Sequence, residues 1–238
     1  MQQLAELIQE RRSVRGPYDP NRPVDRIDLM KILEAGKWAP TAHNMQNFEV
    51  IVVDDKKLLR EISGIEGTIS EEFIRENYQQ LSFSEEELRR RKTGALATMF
   101  PAFMRTPGAK PDKTSLEQMA SFQTRLVQTS PVLLVVTYDP SRRAPASEGD
   151  FLGIMSLGCV MQNMWLTASS LGIAMQILSA FSAVGVQEQV KNILDIPDRL
   201  RIAFTARLGY SVEPQPAYIR VRRDVQDFGH HNRFENSL

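Results

Sequence analysis

The sequence predicts a mixed β-sheet with helices on both of its faces. Three runs are apolar and rich in β-branched residues, which is typical of strands: residues 48–54, 131–138 and 201–209. A shorter run at 174–178 predicts a fourth strand. Segments with helical periodicity separate these runs along the chain, so helices are expected to cover the sheet on either side.

The composition narrows the class of protein. A chain of 238 residues is long enough for one large domain or two small ones, and we expect a single domain over residues 1–238. The 29 lysines and arginines balance the 29 aspartates and glutamates, so the overall charge favours neither nucleic acid nor an anionic membrane as a partner. Cys159 is the single cysteine and the residues before Arg11 lack the features of a signal peptide, which predicts a cytoplasmic protein.

Two helices are predicted ahead of the first strand. Residues 4–8 place leucine and isoleucine on one helical face, and this short helix runs into Arg11. A second helix is expected to begin near Asp25 and to stop at Pro40, because aspartate favours helix starts and proline ends helices. The strand at 48–54 follows.

Residues 56–128 are predicted to form a variable region of helices and loops. This region is rich in glutamate, arginine and lysine, and Thr68 and Ser84 each stand three residues before a glutamate, as in a helix capping box. Residues 101–114 contain three prolines and one glycine, which predicts a loop. Both a cover over a pocket and a surface linker between helices fit such a loop.

The longest uncharged stretch, residues 151–187, has to be weighed as a membrane span. Polar side chains such as Gln162 and Asn163 interrupt it, and Gly172 ends its helical part. These features favour a deeply buried core helix, capped by Asp150, over a helix in lipid. No membrane partner is therefore predicted.

Arginines cluster near both ends of the chain. One cluster surrounds Ser13, and the other follows the last predicted strand. The members are Arg11, Arg12 and Arg15 in the first cluster and Arg220, Arg222 and Arg223 in the second. Planar guanidinium groups suit the oxygens of a phosphate monoester. Each cluster on its own is also typical of a solvated surface.

A polar segment at 38–48 lies between the second helix and the first strand. Asn44 and Gln46 carry amide groups that both donate and accept hydrogen bonds, as the edge of a heterocycle requires. Ordinary loop residues look much the same. The three histidines lack ligand partners at suitable spacing, and with one cysteine in the chain no metal site is predicted.

Taken together, four motifs in order resemble those of the FMN-dependent nitroreductase family, from about Leu7 to Phe234. They are RRSVR at 11–15, APTAHNMQNF at 39–48, the uncharged helix with MQN at 161–163 and LG at 171–172, and RLGY at 207–210 followed by RVRRDVQDF at 220–228. The resemblance implies an α+β nitroreductase-like fold, in which two subunits intertwine as a homodimer and hold FMN non-covalently at their interface. It also implies that the 56–128 region covers the flavin pocket.

The resemblance assigns residues of this chain to the cofactor. The matches to the phosphate contacts are Arg11, Arg12, Ser13, Arg222 and Arg223, and the match to the pyrimidine contact is Arg15. The matches to the segment that the second subunit contributes are Pro40, Thr41, Ala42, Asn44 and Gln46. Within that segment, His43 is expected either to line the flavin pocket or to lie on the surface.

Two further assignments are also implied by the resemblance. Arg125 matches a cation near flavin N1 and O2, where it would stabilise negative charge on the reduced ring, and the alternative is a solvated helix residue. The run Leu178, Ser179 and Ala180 matches the position from which a backbone N–H reaches flavin N5. Relatives often carry glycine in that run and proline in place of Asp224, so this chain departs from the family at both places.

The resemblance implies an oxidoreductase that carries two electrons from NADH or NADPH to a small electron-poor acceptor, of nitroaromatic or quinone type, by a ping-pong mechanism. No catalytic side chain is expected, because the flavin carries the chemistry. Reductive dehalogenation, azoline oxidation and flavin cleavage are reactions of the same fold that the sequence leaves open. It also leaves open a non-catalytic flavin-binding protein and a structural or interaction protein.

Overall fold

The structure is a computed structural model that describes residues 2–67, 70–110, 112–145, 149–182, 184–213 and 219–236. The chain forms two compact units. The first, which we call the sheet unit, comprises residues 1–68 and 118–215, and the second, the helical unit, comprises residues 69–117 and 216–238. The single domain over 1–238 stays a prediction.

The helices and strands are numbered in chain order. The helices are α1 Gln2–Glu10, α2 Arg26–Lys37, α3 Lys56–Ser63, α4 Glu71–Ile74, α5 Glu85–Arg91, α6 Ala102–Arg105, α7 Lys113–Gln128, α8 Phe151–Ser170 and α9 Val184–Ile193. The strands are β1 Glu49–Val53, β2 Ser82–Phe83, β3 Ala95–Leu96, β4 Val132–Tyr138, β5 Ala174–Ile177 and β6 Arg201–Gly209. All four strands predicted from the sequence are therefore present, as β1, β4, β5 and β6.

The main sheet has the strand order β1-β4-β6-β5, and each neighbouring pair is antiparallel. The expectation of a mixed sheet is wrong for these four strands. Helix α8 does connect two parallel strands, β4 and β5, but β6 lies between them and pairs with both. The helices and the antiparallel sheet together make an α+β fold, as expected.

Helices cover both faces of the sheet, as the sequence predicts. Side chains of a strand alternate between the two faces. In β4, Val132, Leu134 and Val136 join a core with residues of α2 and α8. Leu133 and Val135 join a second core with residues of α3 and α9. Strand β4 is thus buried on both faces, which explains its unbroken apolar sequence.

Helix α8 is a core helix on one side only. Leu157, Val160 and Met164 on its inner side are buried against the sheet and α2. On its outer side, Phe151, Ile154 and Met155 are each more than half exposed to solvent. The expectation of a deeply buried helix is therefore wrong for that side. By length and composition, α8 is the one helix of the described residues that could cross a membrane.

The ends of α8 agree with the sequence in part. The helix stops before Gly172, whose φ of +70° is a conformation that glycine adopts most easily. Asp150 stands at the N-cap position, but its side chain makes no capping hydrogen bond. The residue has a φ of +47°, in contrast to the extended backbone that a capping aspartate usually has.

The helical unit contains the two short strands and several short helices. The Ser84 hydroxyl accepts a hydrogen bond from the N–H of Glu87, which confirms the predicted start of α5. Thr68 lies outside the described residues, and Ser70 caps α4. The predicted loop at 101–114 is wrong in part, because it contains α6 and the start of α7.

Candidate functional site

The N-terminal arginines lie on a short extended segment beside the edge strand of the sheet. We call residues 11–16 the arginine segment. The N–H of Val14 donates to the carbonyl oxygen of Met175 in β5, at 3.3 Å. Just beyond the segment, Tyr18 forms an antiparallel bridge with Ser211. The predicted phosphate ligands are therefore fixed to the sheet through backbone contacts.

Arg11 and Arg12 line a groove of about 510 Å³ next to this edge. Arg22 lines it as well, with its guanidinium carbon 3.6 Å from the ring centre of Tyr210. The remaining residues of the groove are Leu7, Glu10, Val14, Ser169, Gly172, Ile173, Ala174, Met175 and Ser211. Three arginines and one glutamate give the groove a net positive charge, which suits an anionic ligand.

Aromatic rings hold two of these guanidinium groups. The carbon of the Arg11 guanidinium lies 4.3 Å from the ring centre of Trp165 in α8, and Arg22 stacks on Tyr210. A stacked guanidinium loses less freedom when it binds an anion. Of the other residues of the arginine segment, Ser13 is half-buried and Arg15 is exposed.

The polar segment at 38–48 has an unusual backbone. His43, Asn44 and Gln46 have φ values of +52°, +52° and +46°, in the left-handed region that residues other than glycine rarely adopt. The Gln46 amide donates to the Asn44 side chain at 3.0 Å, and the Gln46 N–H donates to the Thr41 hydroxyl at 3.2 Å. Such strain is maintained only when surrounding contacts fix it, and it is common at functional sites.

Two side chains that were not predicted from the sequence hold this segment on either side of Asn44 and Gln46. Ser156 of α8 accepts a hydrogen bond from the N–H of Ala42, at 3.1 Å. Asn47 donates to the carbonyl oxygens of Asp139 and Arg142, both at 2.9 Å, and accepts from the N–H of Asp139. The exposed amides of Asn44 and Gln46 are therefore presented from a backbone that is held at both sides.

Replacing Asn47 by alanine is expected to lower the free energy of unfolding by about 1–3 kcal/mol, since the carbonyl oxygens of Asp139 and Arg142 lose their donor and the first of these bonds is partly buried. Urea denaturation measures this change. Asn192→Ala, at an exposed position of α9, is the matched control and should leave the free energy of unfolding within about 0.5 kcal/mol of the parent. Equal stability of the two variants would show that Asn47 does not anchor the segment.

Arg125 and the run from Leu178 to Ala180, also assigned from the resemblance, lie in the sheet unit. Arg125 lies exposed in the last turn of α7. Leu178 is buried, and its N–H donates to the carbonyl oxygen of Thr205 at 3.0 Å. Ser179 and Ala180 begin a single helical turn directly after it. Of the three backbone amides in this run, that of Leu178 already has an acceptor in β6.

The C-terminal arginines lie in the helical unit. Arg222 and Arg223 are exposed, and the guanidinium carbon of Arg223 lies 5.4 Å from the ring centre of Phe228. Lys92, just after α5, pairs with Asp224 and lies 3.3 Å from the carboxylate of Asp227. Asp224, the departure from the family pattern, thus ties the C-terminal segment to α5, and the Lys92 ammonium offsets its charge beside the arginines.

Acid is expected to loosen this C-terminal segment. The N–H of Asp224 and then the Lys92 ammonium hold the pKa of Asp227 below its usual value. A carboxylate with a lowered pKa stabilises the fold above its ordinary pKa, and that stability is lost as the pH falls through the lower value. Amide exchange of residues 219–236, corrected for intrinsic rates, should therefore rise as the pH falls below about 4.

Asp227→Asn is the control for this prediction. The variant should exchange faster at neutral pH and should lose the acid-dependent step, because its side chain cannot ionise. Exchange in the parent protein that stays constant between neutral pH and pH 3 would contradict the role given to Asp227.

The fold and the groove define an α+β protein with a positively charged cleft at the edge of its sheet. The chain belongs to the nitroreductase family, whose model matches residues 8–210. It is 22% identical over 231 residues to an NADPH-dependent oxidoreductase of Staphylococcus aureus strain USA300, covering 96% of this chain and 72% of that protein.

Solved structures of the same family share the fold. Nitroreductase A from Vibrio parahaemolyticus aligns with a TM-score of 0.63 and 17% identity, over 100% of this chain and 79% of that one. A nitroreductase with bound FMN from Bacteroides fragilis aligns with a TM-score of 0.57 and 22% identity, over 92% of this chain and 94% of that one. These matches confirm the nitroreductase-like fold predicted from the four motifs.

Proposed function

We propose that this protein binds FMN non-covalently and carries two electrons from NADH or NADPH to a small electron-poor acceptor of nitroaromatic or quinone type. The observation that carries the proposal is the arginine-lined groove at the sheet edge, because Arg11 and Arg12 of the motif that the family resemblance assigns to the phosphate line it. The names of two relatives support it, one being NADPH-dependent and the other a nitroreductase with bound FMN.

The residues of the groove fit the phosphate end of FMN. A phosphate monoester carries about −1.5 to −2 charge at neutral pH and takes paired donors from guanidinium groups. Arg11 and Arg12 would supply these donors, and Ser13 would add a hydroxyl. Arg222 and Arg223 are proposed to contact the same phosphate, on the strength of the family motif.

When bound, FMN would supply the two-electron redox chemistry, and the side chains would position and stabilise it. Arg15 is proposed to contact the pyrimidine edge, and Arg125 to offset negative charge near N1 and O2. Ser179 and Ala180 are proposed to offer a backbone N–H to N5. No acid, base or nucleophile is needed from the protein, and a ping-pong order follows if donor and acceptor use one site in turn.

The second subunit is proposed to complete the site with residues 40–46. Support comes from exposed apolar side chains on three helices of the sheet unit. They are Leu4 and Ile8 on α1, Ile27 and Met30 on α2 with Trp38 at its end, and Phe151, Ile154 and Met155 on α8. Large exposed apolar surfaces mark interfaces in soluble proteins, and identical subunits most often pair by a two-fold axis.

The visible spectrum of the purified protein tests the cofactor assignment. Oxidised-flavin absorbance, with FMN released by denaturation, is the expected result, and a colourless protein that binds no added FMN would contradict it. Steady-state rates with NADH or NADPH and a quinone should then give parallel lines in double-reciprocal plots. Bound FMN that neither nicotinamide reduces would indicate a flavin-binding protein without this activity, and turnover with oxygen alone would favour another flavin reaction.

A further inference from the structure

Arg207, near the C-terminal end of β6, carries a charge in the interior of the sheet unit. Its accessible surface is 0%. Its Nε donates to the side-chain oxygen of Gln176 at 2.9 Å. Its guanidinium carbon also lies 3.9 Å from the ring centre of Tyr18, so the group is stacked as well as hydrogen-bonded. The sequence shows that β6 carries this charge, but it does not show the partners of the guanidinium group.

The outer nitrogens of Arg207 reach the arginine segment. Nη2 donates to the carbonyl oxygen of Gly16 at 2.6 Å and to that of Val14 at 3.4 Å. On the other side, Nη1 lies 3.4 Å from the Ser130 hydroxyl and 3.5 Å from that of Thr129. One guanidinium group thus joins the arginine segment to the neighbouring strand and to the residues that precede β4.

All of these acceptors are neutral. Within the described part of the chain, no ion pair joins Arg207 to a carboxylate, and burial lowers the pKa of its guanidinium. A buried charge without a counter-ion is costly unless hydrogen bonds to the protein replace its lost hydration, as they do for Arg207. Apolar residues of similar size would fill the same space in β6 without that cost.

The contacts of Arg207 hold the backbone of the arginine segment in place. The carbonyl oxygens of Val14 and Gly16 point inward to Arg207, and the Val14 N–H points to Met175. Both hydrogen-bonding groups of Val14 are therefore used, and Arg15, between the two carbonyls that Arg207 holds, remains exposed. Arg207 shares the Val14 carbonyl oxygen with the Tyr18 hydroxyl, which donates to it at 2.8 Å, and makes the 2.6 Å hydrogen bond to the Gly16 carbonyl oxygen itself. The backbone that carries the predicted phosphate ligands is thus held from the protein interior by Arg207 together with Tyr18.

We propose that Arg207 is a positioning residue, which fixes the arginine segment so that its side chains meet the cofactor phosphate. The inference rests on the proposed binding of FMN. Arg207 itself does not contact the phosphate, since its side chain is buried and its donors face protein acceptors. Its effect should therefore depend on the phosphate group of the ligand, although it never touches that group.

The test compares FMN with riboflavin, which lacks the phosphate, in the 238-residue chain after removal of its cofactor. Arg207→Met removes all five donors at similar volume and is expected to lower the preference for FMN over riboflavin by about tenfold, the size of one lost charge-assisted contact. Riboflavin affinity should change little. A purely structural role would weaken both ligands alike, so the ratio of the two dissociation constants separates the roles.

Two further variants complete the experiment. Arg201→Met, at an exposed position of the same strand, should keep the preference of the parent protein. Arg207→Lys keeps the charge but cannot bridge both carbonyls, and it should give an intermediate preference with faster amide exchange at residues 11–18. It also replaces Arg207→Met in the test if the methionine variant does not fold.

An unchanged preference in a folded Arg207 variant would overturn the inference. That result differs from a failure of the proposed function, in which the parent protein would bind FMN no better than riboflavin or bind neither. The parent protein is therefore measured first, and the variants are interpreted against its preference.

Discussion

Replacing Arg11 by alanine is expected to weaken FMN binding by about 10- to 140-fold, because a hydrogen bond to a charged group contributes about 1.5–3 kcal/mol. Arg11 lines the groove and stacks on Trp165, so its guanidinium is already oriented before the ligand arrives. Its removal therefore eliminates a phosphate contact for which the side chain is already oriented in the absence of FMN. The loss should fall on FMN and largely spare riboflavin.

Fluorescence titration of the cofactor-free variant measures this effect. Arg26→Ala is the matched control, since Arg26 is an exposed arginine at the start of α2 and its removal changes the net charge equally. FMN affinity equal in the two variants would show that the phosphate binds elsewhere. High salt should weaken FMN binding in the parent protein and in the control more than in Arg11→Ala, because one charge interaction is already lost there.

Replacing Ile154 by glutamate is expected to raise the dissociation constant of the proposed homodimer by more than about 100-fold, since burying an unpaired carboxylate costs several kcal/mol. Ile154 lies 58% exposed on the outer side of α8, among the apolar residues proposed to meet the second subunit. A two-fold interface would contain the change twice. The variant should also lose FMN, because residues 40–46 of the second subunit would leave the site.

Sedimentation velocity at micromolar concentration distinguishes monomer from dimer. Gln189→Glu adds the same charge on the exposed face of α9 and should leave the assembly unchanged. Ile154→Leu keeps the apolar character of the residue and should also leave the assembly unchanged. A parent protein that sediments as a monomer would contradict the dimer, whereas a dimeric Ile154→Glu variant would place the interface on another face.

The strands show how far local pattern predicts this fold. The runs at β1, β4 and β6 are apolar and β-branched, and each forms a strand close to the predicted bounds. Their order was not predictable in the same way. Strand β6 pairs with both β4 and β5, although it is the last of the three in the chain, and this pairing makes the sheet antiparallel instead of mixed.

Some residues of the candidate site were predictable from the sequence, and others were not. The arginine clusters and the amides of Asn44 and Gln46 were found from their chemistry and from the family motifs. Asn47, Ser156 and Arg207 were missed as supporting residues, because their importance lies in contacts with backbone atoms far away in the sequence.

The sequence by itself determined the family, the four main strands and the chemical groups available for an anionic cofactor, since these depend on residue type and short-range periodicity. Only the tertiary structure decided which side chains support the predicted cofactor-binding groups. Arg207 meets Gly16 across 191 residues, and Lys92 meets Asp224 across 132. A carbonyl oxygen is present in every residue, so no sequence pattern marks the particular ones that a buried arginine will bind, and only the folded backbone brings them within reach.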